Sequence, residues 1–269
     1  MGSPSRRFER YVAIGDSSTE GLDDRDASGG YRGWSLRLAS RIASEQGTLA
    51  YANLGVRGKR TAEIRSEQLE PALAMRPDLV TLFTGTNDVV GRRFDPEAVR
   101  RDVLEMHRAL IDAGATVLTF TLPDITPVMP LARAIAHRVE ALNEGLREAA
   151  GSSGAILVDI ARFPVASDPR LWSEDRLHAN SLGHERIAAA LAEALGLEGT
   201  DAAWSRPLPT PLDRGAIARA GAELRWTARY LVPWIVRSAR GRSSGDGISC
   251  RYPSLIRLGG DSADARGPA

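Results

Sequence analysis

The sequence predicts an α/β protein, a three-layer α/β/α sandwich around a parallel sheet of about five strands. Short apolar runs rich in β-branched residues recur between residues 11 and 160, and stretches with the helical spacing of apolar residues separate them. Strands that are apolar on both faces belong in a parallel sheet that helices cover. Right-handed crossovers then place helices on both faces of that sheet, in a flavodoxin-like arrangement.

The predicted elements alternate in chain order. Five apolar runs predict the strands Tyr11–Ile14, Leu49–Leu54, Leu79–Phe83, Thr116–Leu122 and Ala155–Ile160. Apolar residues three and four apart predict helices over residues 36–43, 64–75, 99–111, 131–146 and 187–195.

The pattern changes after residue 200, so we divide the chain into a domain over residues 1–200 and a mainly helical extension over residues 201–269. Asp201–Asp213 contains three prolines, which excludes a helix there and predicts a linker or a strap along the surface. Residues 215–239 have helical spacing, interrupted at Pro233. From Arg240 the chain is rich in Arg, Gly and Ser and is expected to be loop or disordered. The apolar side chains of the extension should pack on the core or on a second chain.

Composition excludes several classes of function. The 269 residues carry a net charge of +1, so nothing favours nucleic acid as a partner. The single cysteine, Cys250, cannot form an intrachain disulfide. No apolar leader precedes the first strand, and the run from Tyr230 to Val236 is too short to insert stably in a membrane, so we expect a cytoplasmic protein.

Two polar motifs follow predicted strands. Gly15–Gly21 (GDSSTEG) places Ser17 at the carboxyl end of the first strand, where parallel α/β sheets bind ligands. Gly85–Asp88 (GTND) follows the third strand, and the side-chain amide of Asn87 could donate hydrogen bonds to a developing oxyanion. Each motif alone could also be a helix cap or a turn.

Two further motifs complete the set. Asn53–Gly58 (NLGVRG) leaves the second strand, and its glycines could let a backbone N–H approach a ligand or could serve the turn alone. Asp175–His178 (DRLH) places a carboxylate three residues before an imidazole, which a general base needs as an orienting partner. A D-x-x-H pattern is also common by chance.

Together the four motifs resemble the SGNH hydrolases, also called GDSL esterases and lipases, between Tyr11 and Leu195. The resemblance implies a catalytic triad of Ser17, Asp175 and His178. It also implies an oxyanion hole formed by the N–H groups of Ser17 and Gly58 and the side chain of Asn87. Gly58 matches the family's spacing better than Gly55 does. The implied reaction is hydrolysis of a small-molecule acyl ester or thioester, with no metal and no cofactor. Asp16 and Asp88 are expected to bond nearby backbone N–H groups.

Several alternatives remain. Gly241–Gly245 (GRSSG) matches a nucleophile elbow around Ser243, but no strand precedes it and no histidine follows it. His107 and His137 are expected at the surface, and His184 is expected to take no direct part in the chemistry. The four histidines and one cysteine lack metal-ligand spacing. A flavodoxin-like binding module and an acyltransferase that uses the same triad remain rival functions. The absence of a long apolar lid favours short acyl chains.

Overall fold

A six-stranded sheet forms the centre of the fold in the computed structural model, which describes residues 7–26, 29–210, 226–231, 233 and 244–259. Its strands are β1 (Arg10–Gly15), β2 (Thr48–Asn53), β3 (Leu79–Phe83), β4 (Thr116–Phe120), β5 (Ile156–Val158) and β6 (Tyr252–Gly259). They lie in the order β5-β4-β3-β1-β2-β6. The first five pair in parallel, and β6 pairs with β2 in the antiparallel sense. The predicted α/β class and the five parallel strands are confirmed.

Helices cover both faces of the sheet. They are α1 (Ser17–Glu20), α2 (Gly33–Gln46), α3 (Thr61–Ala74), α4 (Thr86–Val90), α5 (Pro96–Asp112), α6 (Ala136–Ser153) and α7 (Ser181–Ala194). Helix α2 packs against α7, whereas α5 packs between α3 and α6. The five longer helices match the predicted ones. Helices α1 and α4 were not predicted, because four or five residues are too few to show a helical period. No helix in the described part of the chain is long and apolar enough to cross a membrane.

The core lies on both faces of the central strands. Every residue of β3 and β4 is buried, as are five of the six residues of β1. This burial on both faces explains why these strands read as continuous apolar runs and lack polar alternation. All parallel strands end at one edge of the sheet, so the loops after β1, β3 and β4 lie side by side there.

The surface position expected for His107 is wrong. Its side chain is fully buried, and its Nδ1 lies 3.3 Å from the Ser153 hydroxyl oxygen at the end of α6. The charged neighbours in sequence suggested an exposed helix face, but α5 turns this residue toward α6. Burial lowers the pKa of His107 to about 4, so the ring is neutral near pH 7. His137 is exposed, as expected.

The loop or disorder expected after Arg240 is also wrong for residues 252–259, which form β6. This strand pairs with β2 from Thr48, opposite Gly259, to Asn53, opposite Tyr252. The rings of Tyr51 and Tyr252 meet edge to face at 5.8 Å. The apolar residues of β6 pack against the core, but they do not alternate regularly with polar ones, and Pro253 lies among them, so the sequence gives a weak strand signal.

The strap predicted from the prolines begins with a short 3₁₀ turn, Ala202–Ser205. The turn ends before Pro207, so the prolines exclude a helix only from that point on. Its Trp204 is buried and packs edge to face on Phe163, with ring centroids 4.6 Å apart. Most of the helix predicted over residues 215–239 lies outside the described residues. The described part includes a π-helical turn, Thr227–Leu231, preceded by the buried Trp226.

Ending the chain after Arg240 removes β6 and leaves the edge of β2 unpaired. The sequence alone predicts that this truncation is harmless. The structure predicts a melting temperature lower by about 5 °C or more, because a loss of a few kcal/mol has that effect in a protein of this size. Truncation after Gly259 is the matched control, since it keeps all of β6, and it should melt like the full chain. Equal melting temperatures for the two truncations would contradict the structural importance of β6.

Candidate active site

Ser17 lies where β1 meets α1. The Asp16 side chain caps α1 by accepting a hydrogen bond from the Ser18 N–H at 3.0 Å. Gly15 ends the strand, and the amide of Gln68 from α3 bonds both of its main-chain groups, at 2.7 Å to the N–H and 2.9 Å to the carbonyl. A Cβ atom at Gly15 would lie 2.4 Å from the Phe83 carbonyl oxygen, so the close approach of β1 and β3 requires glycine. The backbone that carries Ser17 is therefore held from three sides.

His178 and Asp175 complete a hydrogen-bonded line with Ser17. The Nε2 atom of His178 lies 2.8 Å from the Ser17 hydroxyl oxygen, and its Nδ1 lies 2.6 Å from a carboxylate oxygen of Asp175. All three side chains are largely shielded from solvent. The structure thus brings together the three residues that the motifs predicted, although Ser17 and His178 are 161 positions apart.

The loop that carries Asp175 and His178 is closed on itself. The Ser173 N–H donates to the His178 carbonyl at 2.8 Å, and Trp172 forms an antiparallel bridge with Ala179. Arg176 adopts a left-handed conformation with φ of 63°, which turns the chain within three residues. The other oxygen of Asp175 accepts the N–H groups of Leu177 and His178 at 2.9 and 3.0 Å. The carboxylate is therefore oriented by the backbone of its own loop.

His178 and Asp175 shift each other's pKa in opposite directions. Burial alone would lower the pKa of His178, but the hydrogen bond and the charge of Asp175 outweigh it and raise that pKa above its usual value. Burial would raise the pKa of Asp175, but the hydrogen bond and charge of His178 hold it well below its usual range. Asp175 is therefore ionised near neutral pH, and its charge favours a proton on the imidazole.

Asn87 lies beside the nucleophile at the start of α4. Its Nδ2 donates to the Lys59 carbonyl at 2.9 Å and, over a longer 3.3 Å, to Asp16. Burial raises the pKa of Asp16 to about 7. Asp88 accepts the N–H and hydroxyl of Thr61 at 3.0 and 2.9 Å. The backbone bonds expected of Asp16 and Asp88 are confirmed, but the contact between Asp16 and Asn87 was not predicted.

Gly58 belongs to the loop after β2, where it has a φ of 78°. Its neighbours tie this loop to the site: the Arg57 N–H donates to Glu20 of α1 at 2.9 Å, and the Lys59 carbonyl accepts from Asn87. Gly55 differs, because its N–H already donates to the Asn53 side chain at 2.9 Å. The Gly55 N–H is therefore already engaged within its own turn.

Sequence reasoning missed three residues that support the site. Gln68 clamps Gly15 from the middle of an amphipathic helix, a position that shows no motif. Asp23 lies close enough for its charge to raise the pKa of His178. Trp226 donates from its indole N–H to the Asp175 carbonyl at 3.0 Å, and the guanidinium of Arg176 lies 4.7 Å from its ring centre. An isolated aromatic residue in the extension gave no sign of this contact.

His184 holds the loop between α1 and α2. Its Nδ1 accepts from the Trp34 N–H at 3.1 Å, and its Nε2 donates to the Leu22 carbonyl at 2.9 Å. Burial lowers the pKa of His184 to about 4, so it is neutral near pH 7. Both ring nitrogens bond backbone groups, which agrees with the expectation that His184 takes no direct part in the chemistry.

Three groups at the site could in principle hold a metal ion. Ligand atoms of Asp23, Asp175 and His178 lie within 4.8 Å of one another, and this is the one such cluster among the described residues. The carboxylate of Asp175 is already engaged by His178 and by two backbone N–H groups. The donor set therefore suits an acid–imidazole pair better than a metal.

Comparison with known proteins places this geometry in a family. The model of the GDSL-like lipase/acylhydrolase family matches residues 13–186, which include Ser17, Gly58, Asn87, Asp175 and His178. A GDSL lipase of Mycobacterium tuberculosis is 28% identical over 209 residues, covering 71% of this chain and 84% of that protein. An acetylxylan esterase of Geobacillus stearothermophilus is 25% identical over 218 residues, covering 71% and 95%.

Solved structures share the fold. A lipase/acylhydrolase from Enterococcus faecalis superposes with a TM-score of 0.58 at 22% identity, covering 72% of this chain and all of that one. A variant of an acetyl-xylooligosaccharide esterase from the same Geobacillus reaches a TM-score of 0.61 at 17% identity, covering 74% and 100%. The family model spans most of the α/β sandwich and every motif of the site. The chain therefore belongs to the GDSL-like lipase/acylhydrolase family and is an esterase or acylhydrolase of the SGNH type.

Proposed function

We propose that the protein hydrolyses carboxylic esters through a triad of Ser17, His178 and Asp175 and an acyl-enzyme intermediate. The observation that carries the proposal is the continuous line of hydrogen bonds from Asp175 through His178 to Ser17, at 2.6 and 2.8 Å. These distances lie within the reach that a nucleophile and its base require. Thioesters and O-acetyl groups present the same carbonyl to such a site and belong to the proposed substrate class.

In the first half of the reaction, the Ser17 oxygen attacks the ester carbonyl carbon while its proton passes to Nε2 of His178. Asp175 holds Nδ1 protonated and stabilises the imidazolium that forms. When the tetrahedral intermediate collapses, His178 gives the proton to the leaving alkoxide. The alcohol departs, and the acyl group stays on Ser17 as an ester.

In the second half, a water molecule attacks the acyl-enzyme. His178 takes a proton from the water and then returns it to the Ser17 oxygen as the acid is released. The same base thus serves both steps.

The negative oxygen of each tetrahedral intermediate needs donors. We assign them to the N–H groups of Ser17 and Gly58 and to the side chain of Asn87. In the free protein the Asn87 amide bonds Lys59 at 2.9 Å and Asp16 at 3.3 Å. The bond to Asp16 is the longer and therefore the weaker of the two, so it is the one that an oxyanion would replace.

Replacing the nucleophile tests the proposal first. Ser17→Ala should lower kcat by about 10⁴- to 10⁶-fold, since loss of a triad serine has that effect in hydrolases. The melting temperature should stay close to that of the wild type. Ser243→Ala, which alters the competing GRSSG motif at a position outside the described residues, is the matched control and should keep full turnover. A fluorophosphonate should transfer its phosphonyl group, with loss of fluoride, to the wild type and to Ser243→Ala only, and the added mass should be that of the phosphonyl group. Full turnover by Ser17→Ala would contradict the assignment.

The pH profile tests the base. His178 accepts a proton only when it is neutral, so kcat/KM should fall at low pH with a single ionisation. Because its pKa is raised, the midpoint should lie above about 6.5, the ordinary histidine value. In Asp175→Asn the residual activity, lower by about 10⁴-fold, should show a midpoint shifted to lower pH, because burial remains and the partner charge is gone.

Asp16, with a pKa of about 7, could also affect the profile and needs its own control. Asp16→Asn removes that ionisation, and kcat/KM of this variant should still decrease at low pH. If the decrease disappeared in Asp16→Asn, it would be caused by Asp16 and not by His178, which would contradict the proposed role of His178 as the base.

The oxyanion assignment is tested at Asn87. Asn87→Ala should lower kcat by about 10²- to 10³-fold with little change in KM, because the lost donor acts mainly on the transition state. Val90→Ala, three residues later on α4, is the control for damage to the helix and should stay within a few-fold of the wild type. Equal kinetics for Asn87→Ala and the wild type would exclude this side chain from the oxyanion hole.

A further inference from the structure

A cavity extends from the triad into the protein. Ser17, Asn87 and His178 border it at one end, and it encloses a volume of about 80 Å³. The rings of Phe83 and Phe120 line it from the carboxyl ends of β3 and β4, stacked in parallel with centroids 4.2 Å apart. The cavity therefore starts at the atoms proposed to react and continues over an aromatic surface.

One wall is a single face of α7. Gly183, Arg186 and Ile187 line the cavity, and residues three and four apart share a face of a helix. The helix begins at Ser181, directly after the loop of His178. The helix rises by about 1.5 Å per residue, so the lining residues later on α7 lie farther along the helix from the loop of His178. The side chains of Ile160, Val165 and Leu171, from the short turns after β5, also line it.

Two polar side chains along the cavity, those of Thr121 and Arg186, have partners elsewhere. The Thr121 hydroxyl donates to Asp159 at 2.9 Å. The guanidinium of Arg186 donates to the main-chain carbonyls of Trp204 and Arg206. Beyond the triad, the remaining surface of the cavity is thus largely hydrocarbon and aromatic ring.

Trp204 also lines the cavity. Its indole N–H bonds the carboxylate of Glu193, near the end of α7, and its ring packs on Phe163 at 4.6 Å. Glu193 and Arg186 hold Trp204 along the part of α7 that lies beyond Gly183. This tryptophan belongs to the strap and lies outside residues 13–186, the part that the family model matches.

We infer that the cavity binds the acyl chain of the substrate and that Trp204 limits the length of that chain. The inference rests on the proposed function, because it places the ester carbonyl at Ser17. The cavity of about 80 Å³ continues past the triad along apolar walls, so it can take several methylene groups beyond the ester carbonyl. The substrate class is therefore an ester whose acyl chain is longer than acetyl, whereas the sequence favoured short chains.

Chain-length profiles test the inference. The probes are p-nitrophenyl acetate, butyrate, octanoate and dodecanoate, below their solubility limits. In the wild type, kcat/KM should be at least about tenfold higher for octanoate than for acetate, because each methylene that leaves water contributes roughly fourfold. Dodecanoate should be a poorer substrate than octanoate, because its chain meets Trp204.

Opening and filling the pocket should move the profile in opposite directions. Trp204→Ala should raise the ratio of dodecanoate to octanoate by at least about tenfold, whereas Trp204→Phe should keep a profile close to that of the wild type. Ala166→Phe fills the cavity from the turn beside Val165, and it should lower the ratio of octanoate to acetate by at least about tenfold. This second variant tests the pocket even if Trp204→Ala does not fold.

Leu197→Ala is the packing control. Leu197 is buried in the core just after α7, seven residues before Trp204, and its loss should lower the melting temperature without changing the chain-length profile. A profile that shifts equally in Leu197→Ala and Trp204→Ala would mean that general loosening causes the shift, and it would overturn the role of Trp204.

Failure of this inference differs from failure of the proposed function. If the wild type prefers acetate, and neither Trp204→Ala nor Ala166→Phe changes the ratios, then the cavity does not bind the acyl chain although Ser17 still hydrolyses esters. If no ester is hydrolysed and a fluorophosphonate does not label Ser17, then the proposed function itself is wrong and the inference falls with it.

Discussion

The hydrogen bond between His178 and Ser17 is the constraint on which the site depends. It joins the end of the first strand to a loop near the last core helix, 161 residues later. Local sequence cannot bring two such distant segments within 2.8 Å, so the bond depends on the packing of the parallel strands and the last core helix. The clamp of Gln68 on Gly15, the close packing of β1 on β3 and the self-bonded loop around Asp175 each fix one end of it. A small shift in any of them would lengthen the bond between His178 and Ser17, and proton transfer between these residues tolerates little displacement.

Hydrogen bonds at the site fix the protonation states of several titratable groups. Asp175 is held ionised by its own backbone and by the imidazole, and both ring nitrogens of His184 are engaged by backbone groups. Two buried groups beside the nucleophile have raised pKa values: that of His178 lies above its usual value, and that of Asp16 is about 7. Because the Asp16 carboxylate contacts Asn87, its charge is linked to the position of the amide that the oxyanion is proposed to meet.

Much of the fold and the site could be predicted because their elements leave regular apolar patterns or polar motifs in the sequence. Strands buried on both faces and helices of four or more turns leave a clear apolar period, and polar motifs at strand ends mark the functional edge of a parallel sheet. The structure brings Ser17, Asp175 and His178 together, as those motifs predicted. Strand β6 was not predicted because its apolar residues do not alternate regularly with polar ones and because it contains Pro253. The burial of His107 was not predicted because the partner that buries it lies on another helix. The contacts of Gln68, Trp204 and Trp226 depend on tertiary packing alone, which leaves no pattern along the chain.

Strand β6 also has a consequence for how the protein is made. Its Arg257 contacts Thr48 of β2 across 209 residues of sequence. At about 5–20 residues per second, a ribosome needs roughly 10–40 s to synthesise that interval. During this time β3, β4 and β5 are made one after another and can join β1, while the outer edge of β2 stays unpaired, and an unpaired edge is the kind of surface that recruits other strands. In the newly made protein, β2 can therefore pair either with its own β6, once this strand has been synthesised, or with a strand of another chain.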